Sequence, residues 1–264
     1  MTATHTSKDH PHLTQFTLWI MTIATGLVVA NIYYNQPLLA DIAHTFNITD
    51  KKAQQLSLFT QIGYASGLLF IVPLGDMVKR KRLILIDFVL MILSLLISAI
   101  APSILILTIA GFLLGLSSII PQLLIPMAAH LAKPHERGKK LGFIMSGLLI
   151  GILLSRTLSG FIGEHFGWRS MYYIATGLML AMWLMIFFFL PEVEPDYKGN
   201  YKKLMTSLIH LIKTQPKLRM AAFRGALCFA GFSAFWTTLV FLLKQPQFNE
   251  GSAAAGAFGL VGAF

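Results

Sequence analysis

The stretch Pro73-Leu74-Gly75-Asp76-Met77-Val78-Lys79-Arg80-Lys81-Arg82, here called the basic turn, places four consecutive basic residues between two long apolar runs. The run before it, about Leu56–Leu74, and the run after it, Leu83–Ala101, each approach the roughly 20 residues that a helix needs to cross a bilayer. A short basic loop between two such helices stays on the cytoplasmic side. The orientation of every other segment therefore follows from the basic turn.

The composition of the chain indicates that lipid is its main solvent. Of 264 residues, 55% are hydrophobic and 12% charged, and the mean hydropathy is +0.68. A soluble domain carries about 25% charged residues, and a transmembrane barrel shows alternating segments of about ten residues. The unbroken apolar runs therefore predict an all-α membrane protein. The single cysteine, Cys228, lies in such a run and is expected to be a small buried residue.

The apolar runs predict seven membrane spans and the beginning of an eighth. We expect a cytoplasmic tail over residues 1–15, a bundle of six spans over 16–190, a cytoplasmic linker over 191–218, and the start of a second bundle over 219–264. The last run, from about Ser252, has only about thirteen residues and would cover about 20 Å of a core about 30 Å thick. We therefore expect the chain to be a fragment that ends within its eighth helix.

Prolines and one amphipathic pattern refine these boundaries. Pro37 is expected to close the first span, because proline cannot continue a helix. Pro121 and Pro126 are expected to bend the fourth span. Within the linker, Tyr201–Thr214 has the pattern of an amphipathic helix that lies on the membrane surface.

Lysine and arginine are distributed unevenly between the two sides of the membrane. Of the 21 such residues, fifteen fall on the side of the basic turn and four on the opposite side, and the remaining two, Arg156 and Arg224, lie within spans. This asymmetry places the amino terminus in the cytoplasm. It also accounts for the net charge of +10 without a nucleic-acid partner.

Six spans, a polar linker and further spans are typical of a two-half transporter, and this chain would hold its six-helix first half plus helix 7 and part of helix 8. The basic turn resembles the loop between helices two and three of the major facilitator superfamily. The residues that match the pattern of that loop are Leu74, Asp76, Arg80, Lys81 and Arg82, whereas Val72, Met77 and Lys79 depart from it. The stretches Asn31–Leu39, Gly142–Gly151 and Gly167–Arg169 resemble a bacterial branch of sugar-efflux and drug-resistance-like permeases.

The resemblance implies a multi-pass secondary transporter of the bacterial inner membrane that exports a small organic solute, sugar-like or drug-like, by alternating access. It implies a monomer when complete, with lipid and solute as partners, and neither a cofactor, a metal site nor enzymatic activity. Two departures weaken proton antiport: Ile109–Phe112 stands where drug antiporters carry an arginine, and Ser155–Thr157 stands where they carry Gly-Pro. Asp87, the only acid within a span, is expected one turn inside the cytoplasmic face of the third span, so this half offers no convincing titratable group for proton coupling. Either the missing half supplies that group or coupling works otherwise. The proton therefore stays open as a coupling ion.

Arg156 is the most informative single residue. It lies about fifteen residues into the fifth span, where a charge costs about 2.5–3.5 kcal/mol on insertion scales, so it should face a cavity or a partner. A site for a solute anion or for coupling in a central cavity is one interpretation. A structural pair with a carbonyl or with a missing partner helix is the other. Uncharged polar side chains from spans one, two and four favour a shared cavity, with interhelical hydrogen bonding as the alternative. The predicted cavity residues are Asn31, Tyr34, Asn35, Gln36, Gln61, Tyr64, Ser118, Gln122, Arg156 and Trp236.

Asn31, Tyr34 and Asn35 are expected on one helical face because of their spacing. In the basic turn, an acid shortly before the basic run indicates a gate as well as a topology signal. The predicted gating residues are Gly75, Asp76, Arg80, Lys81 and Arg82. Three G-x-x-x-G pairs predict close helix packing, and they are Gly63–Gly67, Gly111–Gly115 and Gly147–Gly151.

Other function classes remain as alternatives to a transporter. One is a membrane scaffold or assembly subunit, and another is a truncated fragment that does not transport. An intramembrane enzyme is disfavoured, because no span contains a His-x-x-x-His, Gly-x-Ser-x-Gly or paired-carboxylate arrangement.

Overall fold

The computed structural model describes residues 13–195 and 199–261, and most of this part of the chain is helical. The predicted tail over residues 1–15 therefore lies almost entirely outside the described residues. The helices in the described ranges are α1 (Gln15–Ala30), α2 (Asn35–Thr45), α3 (Asp50–Phe70), α4 (Arg80–Ile100), α5 (Ile104–Ser117), α6 (Ile120–Leu131), α7 (Arg137–Phe166), α8 (Trp168–Phe189), α9 (Tyr201–Thr214), α10 (Pro216–Leu243) and α11 (Ser252–Val261).

Seven segments of the described chain are long and apolar enough to cross a membrane, which confirms the predicted all-α membrane fold. The first six are α1 with α2, α3 with the 3-10 turn that follows it, α4, α5 with α6, α7, and α8. The seventh is α10, and α11 begins where the eighth span is predicted. The linker helix α9 has the predicted bounds and no buried residue.

Two spans are interrupted near their prolines. The expectation that Pro37 closes the first span is wrong, because α1 ends at Ala30 and α2 continues the span from Asn35 to Thr45. Pro37 instead lies in the first turn of α2, where a missing backbone N–H is tolerated. The fourth span is interrupted at Ser118–Ile119, just before Pro121, whereas Pro126 lies within α6 without interrupting it.

Glycine pairs let the helices approach closely, as predicted. A Cβ at Gly63–Gly67 would overlap the backbone of α5, and one at Gly115 would overlap the backbone of α3. A Cβ at Gly147–Gly151 would likewise overlap the backbone of α1. These contacts pair α3 with α5 and α1 with α7 without space for larger side chains.

The outer surface of the bundle is apolar. Side chains such as Ile86, Leu105 and Phe188 are more than half exposed, as expected where lipid is the solvent. Cys228 is also exposed, so its predicted burial is wrong. It lies in the first part of α10, residues 216–232, which the other described helices leave exposed. Hydropathy identifies a membrane span but does not show which face of the helix another helix covers.

Candidate functional site

Arg156 lies about two thirds of the way along α7 and is only 1% exposed. Its Nε donates to Gln36 Oε1 at 2.9 Å, and its Nη1 donates to the Ile152 carbonyl of its own helix, also at 2.9 Å. Within the described chain, no carboxylate lies in ion-pair distance of this guanidinium. Two side chains that the sequence predicts for a cavity, from spans one and five, therefore meet.

Aromatic rings cover the faces of this guanidinium. The ring centroids of Tyr33, Trp236 and Phe232 lie 4.5, 4.3 and 5.1 Å from Arg156 Cζ. Such positions stabilise a cation by the ring quadrupole, most strongly where water is excluded. Trp236 is a predicted site residue, whereas Tyr33 and Phe232 are not. Phe232 lies one helical turn before Trp236, so its spacing could have identified it.

A cavity of about 480 Å³ lies beside this cluster, between α2, α3 and α10. Gln36 belongs both to its wall and to the Arg156 contact. Lys51, which is exposed, is the charged residue among those that line it. The rest of the lining is neutral, and includes Gln54, Ser57, Gln61, Phe229, Ser233 and Thr237.

Other predicted cavity residues form hydrogen bonds between spans. Asn35 accepts from Ser57 Oγ at 2.9 Å and donates to Thr60 Oγ1 at 3.3 Å, which joins the first span to the second. Gln122 Nε2 donates to Tyr64 Oη at 3.3 Å, which joins the fourth span to the second. Asn35 shares Ser57 with the cavity wall, whereas neither Tyr64 nor Gln122 lines the cavity.

The structure does not bring three predicted residues to Arg156. The Asn31 amide faces the sulfurs of Met91 and Met179 at 3.5 and 3.3 Å, and Tyr34 is 2% exposed within the main core. Ser118 donates to the Leu114 carbonyl of its own span. The predicted common face of Asn31, Tyr34 and Asn35 is absent, because residues 31–34 form a turn between α1 and α2. That turn points Tyr33, not Tyr34, at the arginine.

The basic turn is held together by local contacts. Residues Val72–Asp76 form a short 3-10 turn, and Arg80, which is 9% exposed, begins α4. Arg80 Nε donates to the Gly75 carbonyl at 3.1 Å, and its Nη2 lies 3.3 Å from Asp76 Oδ1. Asp76 and Arg80 therefore pair within the turn. A gating role for these two residues, and for Gly75, Lys81 and Arg82, stays a prediction.

The basic turn also contacts the linker. Lys79 Nζ lies 3.2 Å from carboxylate oxygens of both Glu192 and Glu194, which follow α8. Hydrogen bonds to these two acids raise the pKa of Lys79 above its ordinary value. Farther along, the Tyr201 hydroxyl donates to the Phe70 carbonyl at 3.0 Å, so the start of α9 contacts the end of α3.

Known proteins resemble this chain in sequence and in fold over nearly its whole length. The chain is 42% identical over 250 residues to the uncharacterized transporter YgaY of Escherichia coli O157:H7, a match that covers 95% of this chain and 64% of that protein. A bacterial homologue of the human lysosomal transporter Spinster aligns with a TM-score of 0.75 at 16% identity, over 96% of this chain and 59% of that one. A D-xylose–proton symporter aligns with a TM-score of 0.64 at 18% identity, over 93% and 65%.

At these identities the two solved structures show a shared fold. The chain spans about three fifths of the length of the relatives that it matches. The family model of the Major Facilitator Superfamily matches residues 19–264, which is nearly the whole chain. The match confirms the resemblance seen in the basic turn, and this chain belongs to the major facilitator superfamily.

Proposed function

We propose that the chain forms the first bundle, and the start of the second, of a secondary transporter that exports a small organic solute by alternating access. The observation that carries this proposal is the position of Arg156. It is a buried cation inside a lipid-embedded bundle, and it is contacted by Gln36 from the first span and Trp236 from the seventh. Residues of both bundles thus surround one charged group.

The cost of the charge favours this function over a structural role. An arginine at the centre of a membrane helix costs about 2.5–3.5 kcal/mol, and such residues typically mark the path of a solute or an ion. A structural pair with a carbonyl accounts for only part of the guanidinium, because the Ile152 carbonyl accepts from Nη1 and leaves Nη2 without a partner in the described chain. Here the aromatic contacts of Phe232 and Trp236 come from α10, across the boundary between the bundles.

The remaining parts of the proposal follow the family and the charge distribution. The amino terminus lies in the cytoplasm of a bacterium, the transporter acts as a monomer in the inner membrane, and the basic turn contributes to the cytoplasmic gate. A proton is the proposed coupling ion. Its support is Asp87, a carboxylate of α4 that is 4% exposed, and the name of the D-xylose–proton symporter that shares the fold.

Reconstitution of the full-length gene product tests the proposal. Proteoliposomes should show counterflow of at least one solute from a panel of sugars, organic acids and amphipathic drugs. Arg156→Ala should lower that flux at least a hundredfold while protein level in the membrane stays unchanged. Arg224→Ala is the matched control, because Arg224 is an exposed arginine in a span. Wild-type flux in Arg156→Ala would contradict the proposed role, and absence of counterflow across the panel would contradict transport.

A further inference from the structure

Several unpaired polar atoms belong to the buried arginine or to the wall of the adjoining cavity. Among the described residues, six buried side-chain polar atoms have no hydrogen-bond partner, and three of them are Arg156 Nη2, Gln36 Nε2 and Ser233 Oγ. Arg156 and Gln36 are bonded to each other through other atoms and are each 1% exposed. Gln36 and Ser233 line the same 480 Å³ cavity. A buried polar group without a partner costs about 1–3 kcal/mol, and more when it is charged.

The chemistry of these atoms specifies the group that would satisfy them. Nη2 of arginine and Nε2 of glutamine carry only N–H donors, so each requires an acceptor. The guanidinium also carries a positive charge that no described carboxylate balances. A carboxylate supplies two acceptor oxygens and one negative charge, and its hydrogen bonds to arginine are about twice as strong as neutral ones.

The surroundings restrict how a ligand approaches. Arg156 Nε donates to Gln36, and Arg156 Nη1 donates to the Ile152 carbonyl. The rings of Tyr33 and Trp236 cover the plane of the guanidinium. Nη2 is therefore the one nitrogen of this group without a partner in the described chain.

The cavity beside Gln36 restricts the body of the ligand. Its wall is mainly neutral, with Ser57, Gln61 and Thr237 as hydrogen-bonding groups and Phe229 as an apolar surface. A second negative charge would find no buried cation there, because the lining lysine, Lys51, is exposed. The site therefore fits one anionic group on a small neutral body.

We propose that the solute is a small organic monocarboxylate whose carboxylate binds Arg156 Nη2 and Gln36 Nε2, with its neutral body in the adjoining cavity. This inference rests on the proposed transport function for its biological meaning. The binding site itself can be tested separately from flux.

The test measures binding to the purified full-length protein with pairs of probes that share one body. Suitable pairs are glucuronate with its methyl ester, lactate with lactamide, and benzoate with benzamide. In at least one pair the acid should bind at least tenfold more tightly than its neutral partner, by calorimetry and by thermal stabilisation. Arg156→Lys should keep part of this preference, because it keeps the charge, and Arg156→Gln should remove it.

A second variant tests the site without knowledge of the true solute. Gln36→Glu would supply the missing negative charge from the protein itself. We expect it to raise the melting temperature of the ligand-free protein by several degrees and to weaken carboxylate binding at least tenfold. Gln245→Glu, in an exposed loop, controls for the change in net charge. A lower melting temperature for Gln36→Glu, with no preference for the acid in any pair, would overturn the inference.

The outcomes separate this inference from the proposed function. Counterflow of a neutral solute, with equal binding of acids and neutral partners, would refute the monocarboxylate and leave transport intact. Tight binding of an acid without flux of any solute would refute transport and leave the carboxylate site intact.

Discussion

The two ends of the contact between the six-span bundle and α10–α11 differ. At the end far from the basic turn, Lys244 Nζ lies 2.5 Å from Asp41 Oδ1, and Glu164 accepts a hydrogen bond from the Ala253 amide at 2.8 Å. At the end near the basic turn, residues 216–232 of α10 are exposed throughout. We call the first of these the closed end and the second the open end. Arg156 lies between them, and Trp236 is in the last buried turn of α10 before the exposed stretch.

This difference indicates how the site would gain access to one side of the membrane. The described residues of the two bundles touch through small residues and polar pairs at one end, and at the other end no described helix covers residues 216–232. Under the proposed function, a solute would reach Arg156 from the side of the basic turn. Rocking about the site would exchange the two ends, as alternating access requires. Substitutions at either end, or at Arg156 between them, test this difference.

The largest expected effect is at the glycine contact between α7 and α11. A Cβ at Gly256 would overlap the carbonyl oxygen of Arg156, and one at Gly160 would overlap that of Ser252. Gly256→Ala should therefore lower the free energy of unfolding by about 1–3 kcal/mol through overpacking. Equilibrium unfolding in detergent measures it.

The control for this substitution is another helical glycine. A Cβ at Gly225 meets nothing within 4 Å. Gly225→Ala should stabilise the protein by up to about 1 kcal/mol, because alanine favours a helix. Equal effects of Gly225→Ala and Gly256→Ala would show that the closed end is not tightly packed.

The next largest effect is expected on solute affinity, at Arg156 between the two ends. Trp236→Ala removes the ring nearest to the Arg156 guanidinium, and a desolvated cation–π contact contributes about 2 kcal/mol. Solute affinity should fall at least tenfold in an equilibrium binding measurement. Phe235→Ala, the exposed neighbour, should change affinity less than twofold. Similar losses from both variants would mean that the aromatic ring does not position the arginine.

A smaller effect is expected from the ion pair at the closed end. The side chains of Asp41 and Lys244 are 28% and 37% exposed, so their interaction should contribute only about 0.2–1 kcal/mol. A double-mutant cycle with Asp41→Asn and Lys244→Gln measures the coupling free energy. It should decrease in high salt because of screening. A coupling above about 2 kcal/mol would show that this pair, and not helix packing, closes that end.

The smallest effect is a pH dependence at the open end. Lys140 Nζ lies 3.0 Å from Glu136 Oε2 and also donates to the Leu13 carbonyl at 3.3 Å. The hydrogen bond from Lys140 lowers the pKa of Glu136 below its ordinary value. The stabilisation that ionised Glu136 gives the folded protein is therefore complete above the ordinary pKa of glutamate. It is lost as the pH falls through the lowered pKa of Glu136. The protection factor of amides near Leu13, which is the intrinsic exchange rate at each pH divided by the observed rate, should fall over that acidic range in the wild type. Glu136→Gln should abolish this dependence.

Much of this architecture was predictable because lipid constrains residue types strongly. Unbroken apolar runs located all seven spans, and a charge within a span identified Arg156. Gln36 and Trp236 were predicted for the same cavity as the arginine, but their direct contacts with its guanidinium were not. The convergence of these side chains depends on the turn over residues 31–34, which reorients Tyr33. The prediction assumed one continuous helix through residues 31–34, and for that reason it selected Asn31 and Tyr34 instead of Tyr33.

The central claim is that the closed end must open for transport. A short bifunctional thiol cross-linker between Asp41→Cys and Lys244→Cys tests it most directly. The background replaces Cys228, the one cysteine of this sequence, and every other cysteine of the full-length gene product with serine. Complete cross-linking should abolish solute flux, and cutting a cleavable linker should restore it. Full flux with the linker in place would contradict the account.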